Sequence, residues 1–270
     1  MNEVILTPKE QPHVPIETST IKPDDFAGKT LDEIKNLEVW HGNNSSTIGN
    51  FFDVEGESGS TISETNIVIN GDVYNTKRIG QGMTDGTITV NGNVSMYVGA
   101  EMEGGVLTVN GNTGSWAGQD MKGGELNING NVRDYLGSSY RGDWRGMTGG
   151  TITLNGDAEN EIAEYMLGGK IVVKGNVKNM PGVHMNGGLL IIEGNVLSRP
   201  GGEMSNGTIV IKGIVNEFLP SFEYHGIEKD IEPSGELIKG SFYKFKGDYA
   251  EKGPDGTVYV AVSGNSHIVP

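Results

Sequence analysis

Cysteine is missing from all 270 residues. The chain therefore supplies no disulfide, no thiolate nucleophile and no cysteine ligand for iron–sulfur or structural zinc, and any such chemistry belongs to another polypeptide. Basic residues are scarce too: 20 Lys plus Arg stand against 35 Asp plus Glu, a formal charge of −15. That balance repels phosphate backbones and makes nucleic acid and anionic membranes poor partners. No run approaches the roughly 18 apolar residues of a membrane span, and the opening MNEVILTPKEQ lacks a basic region followed by an apolar one, so the expectation is a soluble, cytoplasmic chain. The histidines (His13, His41, His184, His225, His267) are scattered, with no HxH or HExxH spacing, so no metal site is expected.

Glycine is what the chain has in excess: 43 residues, about 16% where roughly 7% is usual. A repeat uses it. The second glycine of DG, GG or NG falls at Gly86, Gly105, Gly124, Gly150, Gly169, Gly188 and Gly207, in steps of 19, 19, 26, 19, 19 and 19. Six residues after each comes another glycine, at Gly92, Gly111, Gly130, Gly156, Gly175, Gly194 and Gly213. An earlier copy ends at Gly71, with Thr65 in the first glycine slot, which makes eight.

Within each copy, apolar and polar residues alternate, the period of a strand. One inward column reads Ile67, Ile88, Leu107, Leu126, Ile152, Ile171, Leu190 and Ile209, and the next Ile69, Val90, Val109, Ile128, Leu154, Val173, Ile192 and Ile211. Beyond the glycine a third column holds Val73, Val94, Thr113, Val132, Ala158, Val177, Val196 and Val215. Columns at a fixed 19-residue period describe solenoid coils stacked about 4.8 Å apart. Glycine belongs at the corner between the second and third columns, where a side chain would meet its copies above and below. Asn or Asp on either side of it can pass hydrogen bonds between coils. Parallel crossovers are almost always right-handed, so the expected fold is all-β, a right-handed parallel β-helix of about eight coils with terminal caps. Its divisions are 1–59, an N-terminal cap; 60–215, the helix; and 216–270, an irregular segment with a β-hairpin.

Met83, Met102, Met121, Met147, Met166, Met185 and Met204 form a further column, three residues before each repeat glycine. Thioethers suit soft copper, but methionine also fills irregular core space, and Ile62 takes the same slot in the first copy, so the column is assigned to the core. Other β-helix classes fit poorly. Nineteen is not a multiple of the six residues of left-handed hexapeptide helices, calcium-binding nonapeptide helices need an aspartate in each half coil, and coils this short leave little room for a polysaccharide-cleaving cleft.

The step of 26 adds seven residues within RDYLGSSYRGDWRGM, 133–147. This loop holds Arg133, Arg141 and Arg145, three of the five arginines in the chain, with Tyr135, Tyr140 and Trp144. Those residue types dominate interface hot spots, so these six are the partner-docking candidates; the alternative is a loop pinned by its arginines to its own acidic coils. Trp116, flanked by Gly114 and Gly118, is a second candidate with the same two readings. Glu101, Asp120 and His184 precede methionines on the coil edge; catalytic use is one reading of them, and isolated solvated polar residues explain them as well. No catalytic or cofactor-binding residue is assigned.

The ends of a solenoid need covering. Thr30 with Glu33 forms a capping-box signal ahead of LDEIKNLEV, where Leu31, Ile34, Leu37 and Val39 predict a short helix with one apolar face covering the first coil. Around the turn signal Pro254-Asp255-Gly256, SFYKFKGDY and TVYVAV predict a hairpin at 241–262. Phe218, Phe222, Tyr224, Phe242, Tyr243 and Phe245 serve either the cap's own core or a neighbouring subunit.

The unit M-x-x-G-x-[IL]-x-[VIL]-x-G-N-V, as in TDGTITVNGNV and GGKIVVKGNV, resembles the GXGXG repeat domain that closes the large subunit of glutamate synthase. As a stand-alone chain with both ends elaborated, it is similar to the C-type subunits of formylmethanofuran dehydrogenase over roughly residues 60–250. The resemblance implies a non-catalytic structural subunit of a complex that reduces CO2 and attaches it as a formyl group to methanofuran in methanogenesis. It also implies partner subunits that carry a tungsten or molybdenum pterin, iron–sulfur clusters and a zinc amidohydrolase-like centre. Two alternatives stand beside it: the related subunit of a formyltransferase/hydrolase complex, and a free-standing polysaccharide-binding or cleaving β-helix.

Overall fold

The computed structural model describes residues 2–269. Each copy of the repeat contributes one short strand to a long sheet: Asn66–Asn70, Thr87–Asn91, Val106–Val109, Glu125–Ile128, Thr151–Leu154, Lys170–Val173, Asn186–Ile192 and Asn206–Ile211. Neighbours pair in parallel with like residues aligned, as Ile67 on Ile88, Leu107 on Leu126 and Ile171 on Leu190. The first two columns lie inside, each residue no more than 1% exposed. Branched side chains suit this register because their stiff rotamers pack on a pleated surface.

The third column forms a second parallel ladder through single bridges from Val73 to Val177, continuing as the strands Val177–Asn179, Val196–Ser198 and Val215–Glu217. Glycine sits at the corner between the ladders for lack of space. A Cβ on Gly92, Gly111, Gly130, Gly156, Gly175, Gly194 or Gly213 would run into the backbone of the corner glycine one coil below. Beside the corner, Asn91, Asn110, Asn129 and Asn155 each donate an amide N–H to the asparagine one coil below, at 2.5–2.8 Å. A parallel file runs through Asp72, Asn93 and Asn112, at 2.7 and 2.9 Å.

All seven column methionines are fully buried. Met83, Met147, Met166 and Met185 each direct a methyl group onto the repeat glycine of the next coil (Gly105, Gly169, Gly188 and Gly207), whose φ of +71° to +92° disfavours a side chain in any case. The Met and Gly of the motif therefore fit one another across coils.

The long sheet is mixed, with 13 strands among the described residues, where the repeat predicts parallel strands alone. At the first end Glu3–Pro8 adds in parallel to Asn66–Asn70, and Phe52–Gly56 closes it antiparallel. At the other end Gly256–Ala261 adds in parallel to Asn206–Ile211, followed by the antiparallel strands Ile238–Gly247 and Glu223–Ile231. Thus the terminal segments extend the ladder by one strand at each end before reversing direction. The reversal leaves edge strands that are short at one end and bulged and charged at the other, features that discourage further pairing.

Thr30 and Glu33 form a reciprocal capping box, with Glu33 accepting the Thr30 N–H at 2.8 Å. The helix it opens is one turn, Leu31–Lys35, so Leu37 and Val39 do not share its face: Leu37 follows it and Val39 lies in the strand Glu38–His41. That helix packs on Ile48–Phe51 and Phe52–Gly56, while Glu3–Pro8 covers the strand of the first coil. A second, smaller core lies on the outer face of the sheet, where Ile231, Ile238 and Phe242 pack on Leu189, Ile191 and Val210.

Candidate docking face

Between the third column and the methionines, every coil from Arg78 onward places residues in the left-handed region at two-residue intervals. Tyr97, Gly99 and Glu101 have φ of 64°, 64° and 56°, and Trp116, Gly118 and Asp120 have 60°, 64° and 51°. Each such non-glycine residue costs about 1–2 kcal/mol in isolation. Here the stack fixes the conformation, since the Tyr97 N–H donates to the Ser115 carbonyl and the Trp116 N–H to that of Asp134, one coil on.

This backbone sets equivalent side chains one above another. Tyr97 stacks on Trp116 at 5.4 Å between centroids, and Trp116 on Tyr135 at 4.7 Å, with ring planes 15° and 10° apart. The Arg78 guanidinium lies 4.7 Å from the centre of the Tyr97 ring. Past Tyr135 the ladder stops and the seven-residue insertion projects. Two left-handed positions, or four residues, farther along the coil, Tyr165 stacks on His184 at 4.5 Å, and His184 Nδ1 lies 3.7 Å from a Glu203 carboxylate oxygen.

The insertion folds back over the ladder. Arg141 places its guanidinium 5.2 Å from the Trp116 centroid and 6.0 Å from that of Tyr135, distances at which a cation is attracted to the ring face. Arg145 pairs with Asp143 at 3.3 Å and lies 5.2 Å from the Trp144 ring centre. The Asp143 carboxyl is held below its usual range, chiefly by its bond to Arg145. The loop is therefore braced by cation–π contact to the coils and by an ion pair within itself. Backbone bonds from Ser139 to Glu164 and from Gly146 to Tyr165 tie down its two ends. Trp144 stays 64% exposed and Tyr140 52%. Recesses of about 270 Å³ and 260 Å³ flank Trp144, the first with Arg141 and Glu164, the second with His184, Glu203 and Glu251.

Of the six docking candidates, five thus gather on one face. Arg133 does not join them: it lines a separate recess with Tyr74, Met96 and Ser115. Trp116 is 7% exposed, and its indole Nε1 is buried without a hydrogen-bond partner, so it serves as platform beneath the loop. Asp120 is not a solvated residue. Its Oδ2 accepts from the Gln119 amide at 2.6 Å, its Oδ1 is buried and unpaired, and burial pushes its carboxyl above the usual range. Glu164 is raised for the same reason. Residue type alone does not single out Tyr97 and Tyr165, although the steps from 97 to 116 to 135 and from 165 to 184 are each 19.

No group of three or more His, Cys, Asp or Glu among the described residues is placed to hold a metal, and no helix there is long and apolar enough to cross a membrane. The fold and this face define a repeat-built, mostly β chain that offers a ribbed side and one braced aromatic loop. No protein-family model matches it. It is 70% identical to the C-type subunit of the tungsten-containing formylmethanofuran dehydrogenase 2 of Methanothermobacter thermautotrophicus over 270 residues, 100% of both chains. It is 44% identical over 98 residues to the C-type subunit of the molybdenum-containing formylmethanofuran dehydrogenase 1 of Methanosarcina barkeri, covering 36% of this chain and 33% of that one. A chain in the crystal structure of the formyltransferase/hydrolase complex from Methylorubrum extorquens with methylofuran shares the fold, with a TM-score of 0.87, 24% identity and coverage of 96% and 99%. The chain belongs to the family of C-type subunits of formylmethanofuran dehydrogenase, an oxidoreductase complex.

Proposed function

We propose that the chain is the structural, non-catalytic C-type subunit of a tungsten-type formylmethanofuran dehydrogenase in the cytoplasm. The carrying observation is 70% identity over the whole of both chains to a tungsten-containing relative. In this reading the partner subunits hold the pterin metal, the iron–sulfur clusters and an amidohydrolase-like zinc centre, and together they reduce CO2 and attach it to methanofuran as a formyl group. The stack is a right-handed parallel β-helix of the GXGXG-repeat type over 60–215, with 1–59 and 216–270 as caps. Ladders that contact only their neighbours make a stiff frame at low ordering cost. Tyr135, Tyr140, Arg141, Trp144 and Arg145 form the principal docking patch, with Arg133 on a neighbouring side; exposure of Trp144 and the bracing of its loop support that role.

Affinity purification of the tagged native chain, with mass spectrometry of its companions and elemental analysis, tests the assignment. Stoichiometric partners with tungsten, iron and zinc are expected. A partnered complex lacking both tungsten and molybdenum would instead indicate a formyltransferase/hydrolase assembly, and a metal-free monomer would overturn the reading.

A further inference from the structure

Seven asparagines precede a glycine: Asn70, Asn91, Asn110, Asn129, Asn155, Asn186 and Asn206. In such a pair the glycine nitrogen, unhindered by a Cβ, can attack the asparagine carboxamide. A bond forms between that nitrogen and Cγ, the Cγ–Nδ2 bond breaks, and ammonia leaves with the proton from the backbone nitrogen, giving a five-membered succinimide. Water then adds at either imide carbonyl to yield aspartate or isoaspartate. Nothing is oxidised or reduced, and water is the sole co-reactant.

The structure separates these asparagines. The carboxamide oxygens of Asn70, Asn91, Asn110 and Asn129 accept amide N–H groups from the next coil, at 2.5–2.8 Å, and so point along the ladder. Among the described asparagines, Asn206 alone turns its side chain onto its own glycine: Oδ1 accepts the Gly207 N–H at 2.7 Å. Asn206 is exposed, and Gly207 has φ +92°, a bent conformation at the start of its strand. This contact folds the carboxamide over the Gly207 nitrogen, so the attacking nitrogen and the group whose carbon it attacks are already neighbours.

We propose that Asn206 is a site of spontaneous covalent modification, deamidating through a succinimide with Gly207, and that the side-chain ladder protects Asn70, Asn91, Asn110 and Asn129. The location gives the reaction a consequence. Isoaspartate would insert an extra methylene into the backbone at a confined point, where even a Cβ on Gly207 would lie 3.0 Å from the Met185 methyl group. The adjoining strand, Asn206–Ile211, carries the terminal strand Gly256–Ala261.

The test uses the intact purified assembly, incubated warm at mildly alkaline pH, digested, and read by mass spectrometry for amide-to-acid conversion peptide by peptide. The Asn206 peptide is expected to convert about tenfold faster, or more, than those holding Asn91, Asn110 and Asn129. In urea, where the fold is lost, the rates should converge. An Asn206→Gln variant, which changes an exposed side chain, should lose the fast signal and keep the slow ones. Ladder asparagines converting as fast as Asn206 in the folded assembly, or an Asn206 that reacts only in urea, would overturn the proposal.

Discussion

Gly130→Ala isolates what the corner glycines do. Gly130 is mid-stack, and a Cβ there would lie 2.5 Å from the Gly111 carbonyl oxygen, 2.6 Å from its carbon and 2.7 Å from Asn112 Oδ1. None of the three is the free end of a flexible side chain, because Asn112 Oδ1 accepts the Asn131 N–H at 2.8 Å and the Gly130 N–H donates to Gly111 at 3.1 Å. Forcing a methyl group into packed surroundings costs about 1–3 kcal/mol, and each hydrogen bond pushed out of line about 0.5–1.5 kcal/mol. The expected destabilisation is therefore about 2–4 kcal/mol, or a fall in Tm of about 5–12 °C. Gly142→Ala is the matched control, since nothing lies within 4 Å of its Cβ position while its φ is +86°. That change bears only the left-handed backbone cost of about 1–2 kcal/mol, less whatever the exposed loop relaxes. Both variants should be followed by circular dichroism through guanidinium and thermal unfolding, with midpoints compared, because a repeat stack need not unfold in two states. Gly130 is outside the left-handed region, so its cost is one of space; a Gly130→Ala midpoint lowered no farther than that of Gly142→Ala would show that crowding does not govern the corner.

Three further outcomes follow from particular groups. Thr113 stands between Val94 and Val132 in the third column with a buried, unpaired hydroxyl, so Thr113→Val should raise stability by about 1 kcal/mol; a loss on denaturant titration would mean that the hydroxyl has a partner in solution. Burial raises the folded-state pKa of Asp120, so the penalty for its charge is present above that pKa and disappears as pH falls through it. Asp120→Asn should accordingly raise the unfolding midpoint at pH 7, with a gain that narrows on acidification; a gain that widens towards low pH would contradict this. Joint replacement of Trp144 and Arg141 by Ala should weaken assembly about 30-fold or more, as for a hot-spot residue. It should leave the isolated fold nearly as stable, the exposed Trp144 contributing little, and unchanged affinity in a pull-down titration would remove the loop from the docking surface.

The repeat makes the middle of the molecule legible because each column is one environment sampled eight times. Apolar columns, corner glycines, asparagine files and core methionines all follow from what a side chain meets when its own copy lies one coil away. The ends carry no such redundancy. Val4 and Leu6 alternate inward in Glu3–Pro8, but six residues outside the repeat show nothing that assigns them to the stack. The helix after Thr30 is legible at its start, where the cap is local, and not at its end, where strand pairing takes over after one turn. Proximity in sequence groups Arg133 with the inserted loop, yet it precedes the turn and faces another side of the coil.

The aromatic ladder and the insertion explain each other's position. Side chains in the left-handed column project in register, so rings can stack for as long as successive coils supply them, which they do at 97, 116 and 135. The next residues of that column are Glu161, Met180 and Arg199, which cannot continue the stack. The insertion falls at this break, and Arg141 returns to Trp116, one coil below the loop's origin, as well as to Tyr135. A loop anchored across two coils loses less freedom on binding than one held only at its ends, and reduced ordering cost is what converts an exposed tryptophan into usable affinity. Loss of the Arg141–Trp116 contact would therefore free the loop and not merely remove one interaction, which is how the buried indole would bear on the proposed docking.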